Sequence, residues 1–556
     1  MRVLGFSVGH DKGAVIIENG KVIIGITQER LTRVKHDGAF QGGKIPIESI
    51  NYCLNYLEIT YKEIDLFVYS TTEEIDDVDI QFHKLFPRLN KSILKFLPHH
   101  LAHAYSVFFS SGLDDAAVIV ADASGSIITF KNKTHLWYDP KEQKLDTDFD
   151  WAEGISIYHF NKKEFKEVYK KWIKYPVPID TNEDVSLGTV YSTGSRQLVY
   201  SPVSLTWPAG KLMGLASYAD PEVVSEAPDF VTELEDDIFI SNNTIYPKVN
   251  WEFDFFTKAG VAGIYQREQE KASLILAKMA KKKTESPNVC AAGGSFLNCN
   301  SNEKIIKSNL FDECFFLPPS DDSGIPLGCA WYAYQQLVEI ETTEPISPYV
   351  GKKYEKREVI EMLNNFSGID YIEYDNFDKL NEDVTYWLTL NRVIGWFQDG
   401  SEIGPRALGN RSIIASPIQK WMCNYINMDI KKREWYRPFA PAVLYEYQSE
   451  VFESDVYSPY MLVTTTVKPE WRDKIPAVTH IDNSARHQSV TPESNSKFYN
   501  LISKFHEKTN IPVLLNTSFN GPKEPIVETP TDAMKCFIET NLDFLVINNF
   551  LISKRW

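Results

Sequence analysis

The chain has few cysteines, and none of them form a metal-binding pair. Its seven cysteines are scattered without a CxxC sequence, which excludes a disulfide framework and a thiolate zinc site and favours a reducing cytoplasm. No apolar run approaches 18 residues, so no membrane span or membrane partner is expected. The first residues, MRVLGFSVGHDKG, lack a basic stretch followed by a long apolar one, so no signal peptide is expected.

Basic residues are also fewer than acidic ones. The 58 lysines and arginines face 75 acidic residues, which gives a net charge of −17. A general binder of nucleic-acid backbones is therefore disfavoured, although a local basic groove stays open. A hydrophobic fraction of 43% is ordinary for a globular protein, and 556 residues exceed a single core and indicate two or three domains.

Histidines, by contrast, are concentrated in one short stretch. PHHLAHAYSVF, residues 98–108, holds three of the eleven histidines in the chain. Pro98 suits a first helical turn, and on a helix His99 and His103 share one face while His100 points elsewhere. This i,i+4 spacing can offer two imidazoles to one metal ion. Ordinary buried or surface histidines are the alternative.

A strand–turn–strand pattern occurs twice. Residues 3–17 contain VLGFSVG, the turn HDKG and an apolar strand, and residues 116–130, AAVIVADASGSIITF, repeat the design. In this alignment His10 takes the position of Asp122. Chance similarity of short strand units is the alternative. The pair resembles the duplicated core of the actin-like ATPase and sugar-kinase superfamily, which implies that His10 and Asp122 converge on one site.

Six further stretches occur in a family-specific order. They are GKLMGLASYAD (210–220), AAGGSFLNCNSNEKI (291–305), LPPSDDSGIPLGCAW (317–331), GSEIGPRALGNRSIIASP (400–417), KKREWYRPFAPAVL (431–444) and PVLLNTSFNGPKEPIVETPTDA (512–533). Over nearly the whole chain they resemble the NodU/CmcH-type O-carbamoyltransferases of antibiotic, nodulation and toxin pathways. The N-terminal part is also similar to tRNA threonylcarbamoyl transferases, and the C-terminal part to YrdC-like adenylate-forming domains.

The resemblance implies an α/β fold with two domains. Residues 1–345 would form a duplicated actin-like ATPase (ASKHA) domain for carbamoyl transfer, and residues 350–556 a YrdC-like domain that forms carbamoyl-adenylate. The chain departs mildly from the family pattern, for example at Ile403 before GPRALG and at Ser217 in the GLASYA stretch. These departures put the fit of the acceptor in doubt and not the reaction class.

The resemblance also implies a third metal ligand. Asp321, Asp322, Ser323 and Gly324 lie between strand-like and helix-like segments, and Asp321 or Ser323 would serve equally as a helix cap. In the family pattern the aspartate of the DSG triplet, here Asp322, binds the metal with His99 and His103. Such a set suits Fe(II), zinc or manganese better than magnesium.

Glycines after an apolar strand indicate a nucleotide site. Gly293 and Gly294 follow NVCAA and would let the backbone approach a nucleotide closely, although a simple turn is the alternative. Lys211 would meet a phosphate or remain in solvent, and Asp122 would lie near either the metal or the nucleotide. The predicted nucleotide-binding residues are Asp122, Lys211, Gly293, Gly294 and Asn298.

Basic residues of the C-terminal part lie beside apolar segments and turns: Arg406, Arg411, Lys431, Arg433, Arg437 and Arg486. About half are expected to pair with buried acids, whereas guanidinium forks also bind the oxygens of phosphates. The resemblance selects Arg406 and Lys431 as catalytic. It selects Arg433, Arg437, Arg486, Asn516, Ser518 and Asn520 as substrate-binding.

The implied reaction uses carbamoyl phosphate and ATP as co-substrates, with Mg²⁺ expected alongside ATP. The carbamoyl group would pass to a hydroxyl of a secondary metabolite, a sugar or a hydroxymethylated nucleobase, with His10 as the candidate general base. We also consider a homodimer. The stretch 131–187, rich in aromatic and charged residues, is expected on the acceptor side.

Two other functions compete with this one. A tRNA-modifying threonylcarbamoyl transferase fits the N-terminal part, but an acidic chain with a fused adenylate-forming domain disfavours it. An actin-like binding protein without activity is disfavoured by the intact charged motifs in both halves. A metalloprotease lacks support because the chain has no HExxH sequence.

Overall fold

The structure is a computed structural model that describes all residues except 38–43, 73–74, 130–137, 139–142, 177–182, 200–208, 242–252, 341–343 and 556. Two compact units are present. The first comprises Met1–Thr32 and His36–Ile346, and the second comprises Arg33–Lys35 and Ser347–Trp556. Within the described residues, no helix is both long enough and apolar enough to cross a membrane.

The first unit contains two related sheets and a separate two-stranded sheet, β10-β11. The strands of this unit are β1 (Arg2–Val8), β2 (Gly13–Glu18), β3 (Lys21–Thr27), β4 (Leu66–Thr71), β5 (Leu94–Phe96), β6 (Asp115–Ala121), β7 (Ile127–Ile128), β8 (Asp150–Asn161), β9 (Phe165–Tyr175), β10 (Val231–Glu233), β11 (Ile238–Ile240), β12 (Asn288–Ala292) and β13 (Glu313–Phe316). One sheet has the order β3-β2-β1-β4-β5. The other has the order β13-β12-β6-β8-β7, with β9 paired to β8.

The pairing directions repeat between these sheets. Strand β1 is antiparallel to β2 and parallel to β4, and β6 is antiparallel to β8 and parallel to β12. The first hairpin closes at Asn19 and Gly20, whose φ angles of 50° and 78° suit a tight turn. The predicted mixed α/β class and the internal duplication are therefore confirmed.

One detail of the predicted duplication is wrong. Residues 126–130 were expected to form the strand that returns beside β6, but β7 covers only Ile127 and Ile128 and pairs with β8. The strand that returns beside β6 is β8. The intervening turn cannot close a direct hairpin because its backbone bonds elsewhere: Gly125 N donates to the Glu153 carbonyl at 2.8 Å.

The helices of the first unit are α1 (Gln28–Thr32), α2 (Ile47–Tyr56), α3 (Ile75–Leu85), α4 (His99–Phe109), α5 (Leu187–Val199), α6 (Ala209–Ala216), α7 (Pro221–Glu226), α8 (Phe255–Thr284), α9 (Cys299–Lys307) and α10 (Ile325–Gln335). Helix α10 packs against α4, β1 and β4, and α4 also packs against β6 and β12. A Cβ atom on Gly328 would lie 1.8 Å from the Ala102 carbonyl oxygen. A glycine is therefore required where α10 crosses α4.

The second unit is built on one eight-stranded sheet of order β14-β23-β22-β15-β16-β21-β17-β20. Its strands are β14 (Ile369–Glu373), β15 (Ile394–Phe397), β16 (Arg411–Ala415), β17 (Ala440–Leu444), β18 (Thr465–Thr466), β19 (Ser484–Ala485), β20 (Gln488–Val490), β21 (Val513–Ser518), β22 (Phe544–Ile547) and β23 (Phe550–Lys554). Its helices are α11 (Lys356–Asn364), α12 (Phe377–Thr389), α13 (Trp421–Tyr425), α14 (Gln448–Val451), α15 (Pro469–Arg472), α16 (Ser496–Thr509) and α17 (Pro530–Glu539). Trp396, Phe498 and Phe519 are among the buried residues of its core.

Candidate functional site

Two imidazoles and two carboxylates meet in the first unit. The ligand atoms of His99, His103, Asp122 and Asp322 all lie within 4.8 Å of one another. Nε2 of His99 is 3.3 Å from Oδ1 of Asp322, and Nε2 of His103 is 3.3 Å from Oδ2 of Asp122. The group joins the N-terminal half of α4 to the residue after β6 and to the DSG turn before α10. The three predicted ligands are thus brought together, and Asp122 joins them.

The histidine nitrogens of this group are buried and make no regular hydrogen bond. Within the described residues, Nε2 of His99 and Nε2 of His103 each lie 3.3 Å from a carboxylate oxygen without a well-aligned hydrogen bond to it, and Nδ1 of His103 has no hydrogen-bond partner. Burying poorly bonded polar atoms is costly, and a cation held between the imidazoles and the carboxylates would remove that cost. The residues therefore fit a metal ion. The two-nitrogen, two-oxygen donor set suits Fe(II), manganese or zinc.

Burial and the neighbouring charges act in opposite directions on the pKa values of this group. Burial is the largest single influence and lowers the pKa of His99, but the charges and hydrogen bonds of Asp322 and Asp122 together outweigh it and raise the pKa to about 10. Burial would raise the pKa of Asp322, but the charges of His99 and His10 hold it well below its usual range. Without a metal, the imidazoles are therefore protonated against the carboxylates. A metal that binds there must displace those protons.

His100 lies outside this group. Its Nδ1 is 2.8 Å from the hydroxyl oxygen of Ser156, and burial lowers its pKa to about 3. A neutral histidine bonded to a serine on β8 has a structural role, in line with the prediction that it binds no metal.

His10 lies beside the same carboxylates. It follows β1, and its Nε2 is 3.3 Å from Oδ2 of Asp322. Its Nδ1 is 3.1 Å from Oδ2 of Asp11, whose other oxygen is 2.6 Å from Nδ1 of His36. The backbone N–H of His36 donates to Glu29 at 2.8 Å. The ring is thus held with Nε2 towards Asp322.

Asp11, Glu29 and His36 form a contact group that the sequence does not predict. Asp11 belongs to the HDKG turn, and its sequence position indicates only a turn residue. Their ligand atoms also lie within 4.8 Å of one another, but the hydrogen bonds just described explain this closeness.

The predicted nucleotide-binding glycines lie next to Asp122. Gly293 has a φ of 97°, and a Cβ atom there would be 2.3 Å from the Ala121 carbonyl oxygen. A Cβ atom on Gly294 would be 3.2 Å from Oδ1 of Asp122. Only glycine lets the chain after β12 run this close to the end of β6.

The two other predicted nucleotide-binding residues have different surroundings. Asn298 caps α9 through Ser301 N at 3.2 Å, and its amide exchanges hydrogen bonds with Gln266 at 2.9 and 3.0 Å. Lys211 lies half-buried on α6. Nucleotide contact by either residue stays a prediction.

A buried lysine anchors the candidate site of the second unit. Lys431 Nζ donates to the Ser518 carbonyl, lies 2.5 Å from Oδ1 of Asn520 and 3.2 Å from the Ser518 hydroxyl. Burial and the charge of Arg433 hold the pKa of Lys431 well below its usual range. The predicted KxREWYRPF and NTSFN residues therefore meet in space.

Arginines near Lys431 also lower one another's pKa. Burial, followed by the charge of Arg437, holds the pKa of Arg433 well below its usual range, and Arg486 contributes in the same direction. Arg433 Nε donates to Asn427 at 2.7 Å. Like charges gathered in a buried region are costly unless an anion compensates them. This arrangement suits phosphate oxygens.

Asn516 and Arg411 make internal hydrogen bonds, and substrate contact by Asn516 stays a prediction. Asn516 is buried, and its amide donates to Gln488 at 2.9 Å. Arg411 is fully buried, donates to the Asp399 carbonyl at 3.0 Å and stacks 3.6 Å from the ring centre of Phe397. Arg406 lies in the loop between β15 and β16, half-buried, and its catalytic role stays a prediction.

A buried carboxylate shapes the loop that carries Arg406. Oε1 of Glu402 accepts backbone N–H bonds from Leu408, Asn410 and Arg411 at 2.7, 2.8 and 3.1 Å. The GPRALGN segment, residues 404–410, therefore wraps around one acceptor and is fixed without belonging to a helix or strand.

Comparison with known proteins covers both units. The chain matches the family described as Carbamoyltransferase N-terminus over residues 2–87 and 84–331. It matches the family described as Carbamoyltransferase C-terminus over residues 386–554.

Individual relatives agree with this match. Nodulation protein NolNO of Sinorhizobium fredii is 31% identical over 98% of this chain and 79% of that protein. The 3'-hydroxymethylcephem-O-carbamoyltransferase of Streptomyces clavuligerus is 30% identical over 59% of this chain and 61% of that enzyme. Among solved structures, full-length HypF in its phosphate- and nucleotide-bound form has a TM-score of 0.38 and 15% identity, over 62% of this chain and 56% of that chain. The chain belongs to the carbamoyltransferase family of enzymes.

Proposed function

We propose that this enzyme is an ATP-dependent O-carbamoyltransferase with one half-reaction in each unit. In the second unit, water hydrolyses carbamoyl phosphate to carbamate and phosphate, and the carbamate oxygen attacks the α-phosphate of ATP. Carbamoyl-adenylate and pyrophosphate result. In the first unit, an acceptor hydroxyl attacks the carbamoyl carbon, AMP leaves, and a carbamate ester forms.

The cations around Lys431 support the first half-reaction. Lys431, Arg433 and Arg437 bring positive charge into a buried region, where phosphate oxygens would compensate it. Ser518 and Asn520 direct oxygens at the Lys431 ammonium and fix its position. Fixed charges of this kind stabilise the charge that develops during adenylate formation.

The histidine–aspartate group supports the second half-reaction and is the observation that carries the proposal. His99, His103, Asp122 and Asp322 would hold a transition metal, with Fe(II) the leading candidate. Such an ion, when bound, would supply Lewis-acid polarisation of the carbamoyl carbonyl. Gly293 and Gly294 bring the backbone after β12 close to Asp122, where the nucleotide would bind.

His10 is the proposed base for the acceptor hydroxyl. Burial lowers its pKa, but Asp322, Asp11 and Asp122 together outweigh burial and raise it to about 10 in the metal-free protein. A cation on Asp322 would compensate that charge and let the ring be neutral near pH 7. Asp11 would hold the Nδ1 proton, so that Nε2 accepts the proton of the hydroxyl.

The partners and the location follow from this chemistry. We propose a small-molecule hydroxyl acceptor, ATP with Mg²⁺, and carbamoyl phosphate as the reactants, in the cytoplasm. Seventeen of the 57 residues in the stretch 131–187, the expected acceptor side, lie outside the described residues, and the others include β8 and β9. The proposal defines the acceptor by its hydroxyl.

The test is pyrophosphate release by the purified full-length protein. Release should require ATP and carbamoyl phosphate together, and Lys431→Met should abolish it. Lys432→Met is the control and should retain release, because Lys432 is the exposed neighbour of Lys431. Activity with bicarbonate and threonine in place of carbamoyl phosphate would instead support the threonylcarbamoyl transferase alternative. No pyrophosphate with either set would refute the adenylate mechanism.

A further inference from the structure

The helix that carries His99 and His103 begins without a cap of its own. Pro98 occupies the N-cap position of α4 and provides no side-chain hydrogen bond. The first N–H groups of a helix need acceptors from elsewhere. His99 N donates to the Ser126 hydroxyl at 2.9 Å, and His100 N donates to Oε2 of Glu153 at 3.1 Å. Both acceptors lie far from α4 in the sequence.

Glu153 also binds the turn that follows Asp122. Its Oε2 accepts from Ser126 N at 3.0 Å, and its backbone exchanges hydrogen bonds with Gly125 and Ser126 at 2.8 and 3.1 Å. A Cβ atom on Gly125 would lie 2.7 Å from Oε2 of Glu153. One buried carboxylate therefore joins the start of α4 to the turn between β6 and β7.

A buried lysine holds this carboxylate from the other side. Lys170 Nζ donates to Oε1 of Glu153 at 2.6 Å, and the Tyr138 hydroxyl donates to the same oxygen at 2.9 Å. The Glu153 side chain is 0% exposed and that of Lys170 3%. Burial would raise the pKa of Glu153, but the charge of Lys170 holds it well below the usual range. The carboxylate is therefore a permanent anion at the N-terminus of α4, where negative charge is favoured.

We infer that Glu153, held by Lys170, is a positioning residue for the metal site. Three of the four candidate ligands, His99, His103 and Asp122, come from the two segments that Glu153 joins. A well-packed apolar pair is often as stabilising as a buried ion pair, or more so, so stability alone does not account for the charges. The inference rests on the proposed metal site.

The test is Co²⁺ affinity, measured by absorbance titration of the metal-free full-length protein. Glu153→Gln keeps the size and one carbonyl oxygen but removes the charge. Since replacing a residue that orients metal ligands costs about 10- to 100-fold in affinity, its Kd for Co²⁺ should rise at least about tenfold. Glu167→Gln is the matched control, because Glu167 also pairs with Lys170, at 3.0 Å, but has no hydrogen bond to α4 or to the turn among the described contacts.

A double variant separates positioning from stability. Glu153→Gln with Lys170→Met removes both charges, so it should melt near the wild-type temperature even if Glu153→Gln alone folds poorly. Positioning predicts that the double variant still binds Co²⁺ at least about tenfold more weakly than wild type. A double variant with wild-type affinity would overturn the inference and leave the metal site intact. Absence of Co²⁺ binding by wild type would overturn both.

Discussion

His10, in the turn after β1, and Asp322, in the turn before α10, lie opposite each other in the first unit. Nε2 of His10 is 3.3 Å from Oδ2 of Asp322, while Oδ1 of the same carboxylate is directed at His99 and His103. Asp322 thus lies between the candidate base, His10, and the two candidate imidazole ligands, His99 and His103. The two roles can be tested independently.

His10→Asn should slow carbamoyl transfer without affecting the rest of the chemistry. Asparagine keeps a polar side chain of similar reach but cannot accept the proton of the acceptor hydroxyl. We expect normal metal content and normal pyrophosphate release, with transfer at least about a hundredfold slower. Single-turnover transfer from preformed carbamoyl-adenylate is the measurement. A transfer rate within a factor of a few of wild type would rule out His10 as the base.

His103→Ala should remove the metal. It deletes one of the two imidazoles and leaves the other with the carboxylates. The metal content of the purified protein, measured by elemental analysis, should then fall from one transition metal ion per chain to well below one. His159→Ala is the control, because His159 is half-buried and bonds to Asp115 at 2.7 Å, apart from the metal group. Equal metal content in His103→Ala and wild type would exclude His103 as a ligand.

The two half-reactions should separate by mutation. Arg437→Ala removes a buried positive charge from the proposed adenylating site, so pyrophosphate release should be lost. His99→Ala should leave that release largely intact but stop carbamoyl transfer. Both are read from one reaction mixture, as pyrophosphate and carbamoylated product. Loss of pyrophosphate release in both variants to the same degree would contradict the assignment of one half-reaction to each unit.

Acid should destabilise the second unit through His487. This fully buried histidine has its pKa lowered to about 4 by burial, whereas an unfolded histidine titrates near 6.5. The unfolded state therefore binds more protons as pH falls from 6.5 towards 4, and stability is lost in that window.

Between pH 7 and pH 5 the loss from His487 should be about 2 kcal/mol. The measurement is the urea unfolding transition of wild type and His487→Gln at both pH values. The variant starts less stable but should lose less between pH 7 and pH 5. Equal losses would show that His487 is not the titrating group.

The metal ligands could be predicted because helical periodicity determines which histidines share a face. His99 and His103 lie on one face of α4, and Asp322 follows from a recognised motif. Asp122 was ambiguous because a carboxylate after a strand suits a metal and a nucleotide equally well. Its position 3.3 Å from His103 depends on how β6 packs beside α4, and no spacing in the sequence encodes that packing.

Other parts of the site were beyond sequence reasoning. Glu153 lies 53 residues after His100, whose backbone N–H donates to it, within a strand whose neighbours give no sign of a buried charge. The return of the chain to β6 through β8 was missed for the same reason. The apolar residues after Gly125 resemble a hairpin strand, but their turn is bonded to Glu153 and cannot fold back directly.

The repeated strand–turn units have a consequence for how a ligand must lie. Each unit presents its turn to the same site, yet the first presents the imidazole of His10 and the second the carboxylate of Asp122. Two chemically identical turns would accept a substrate in either of two orientations. Here the turns are chemically different, so under the proposed mechanism only one orientation would direct the acceptor hydroxyl to the imidazole and the carbamoyl donor to the metal ligands. The difference between the two copies would therefore fix the orientation in which a ligand binds.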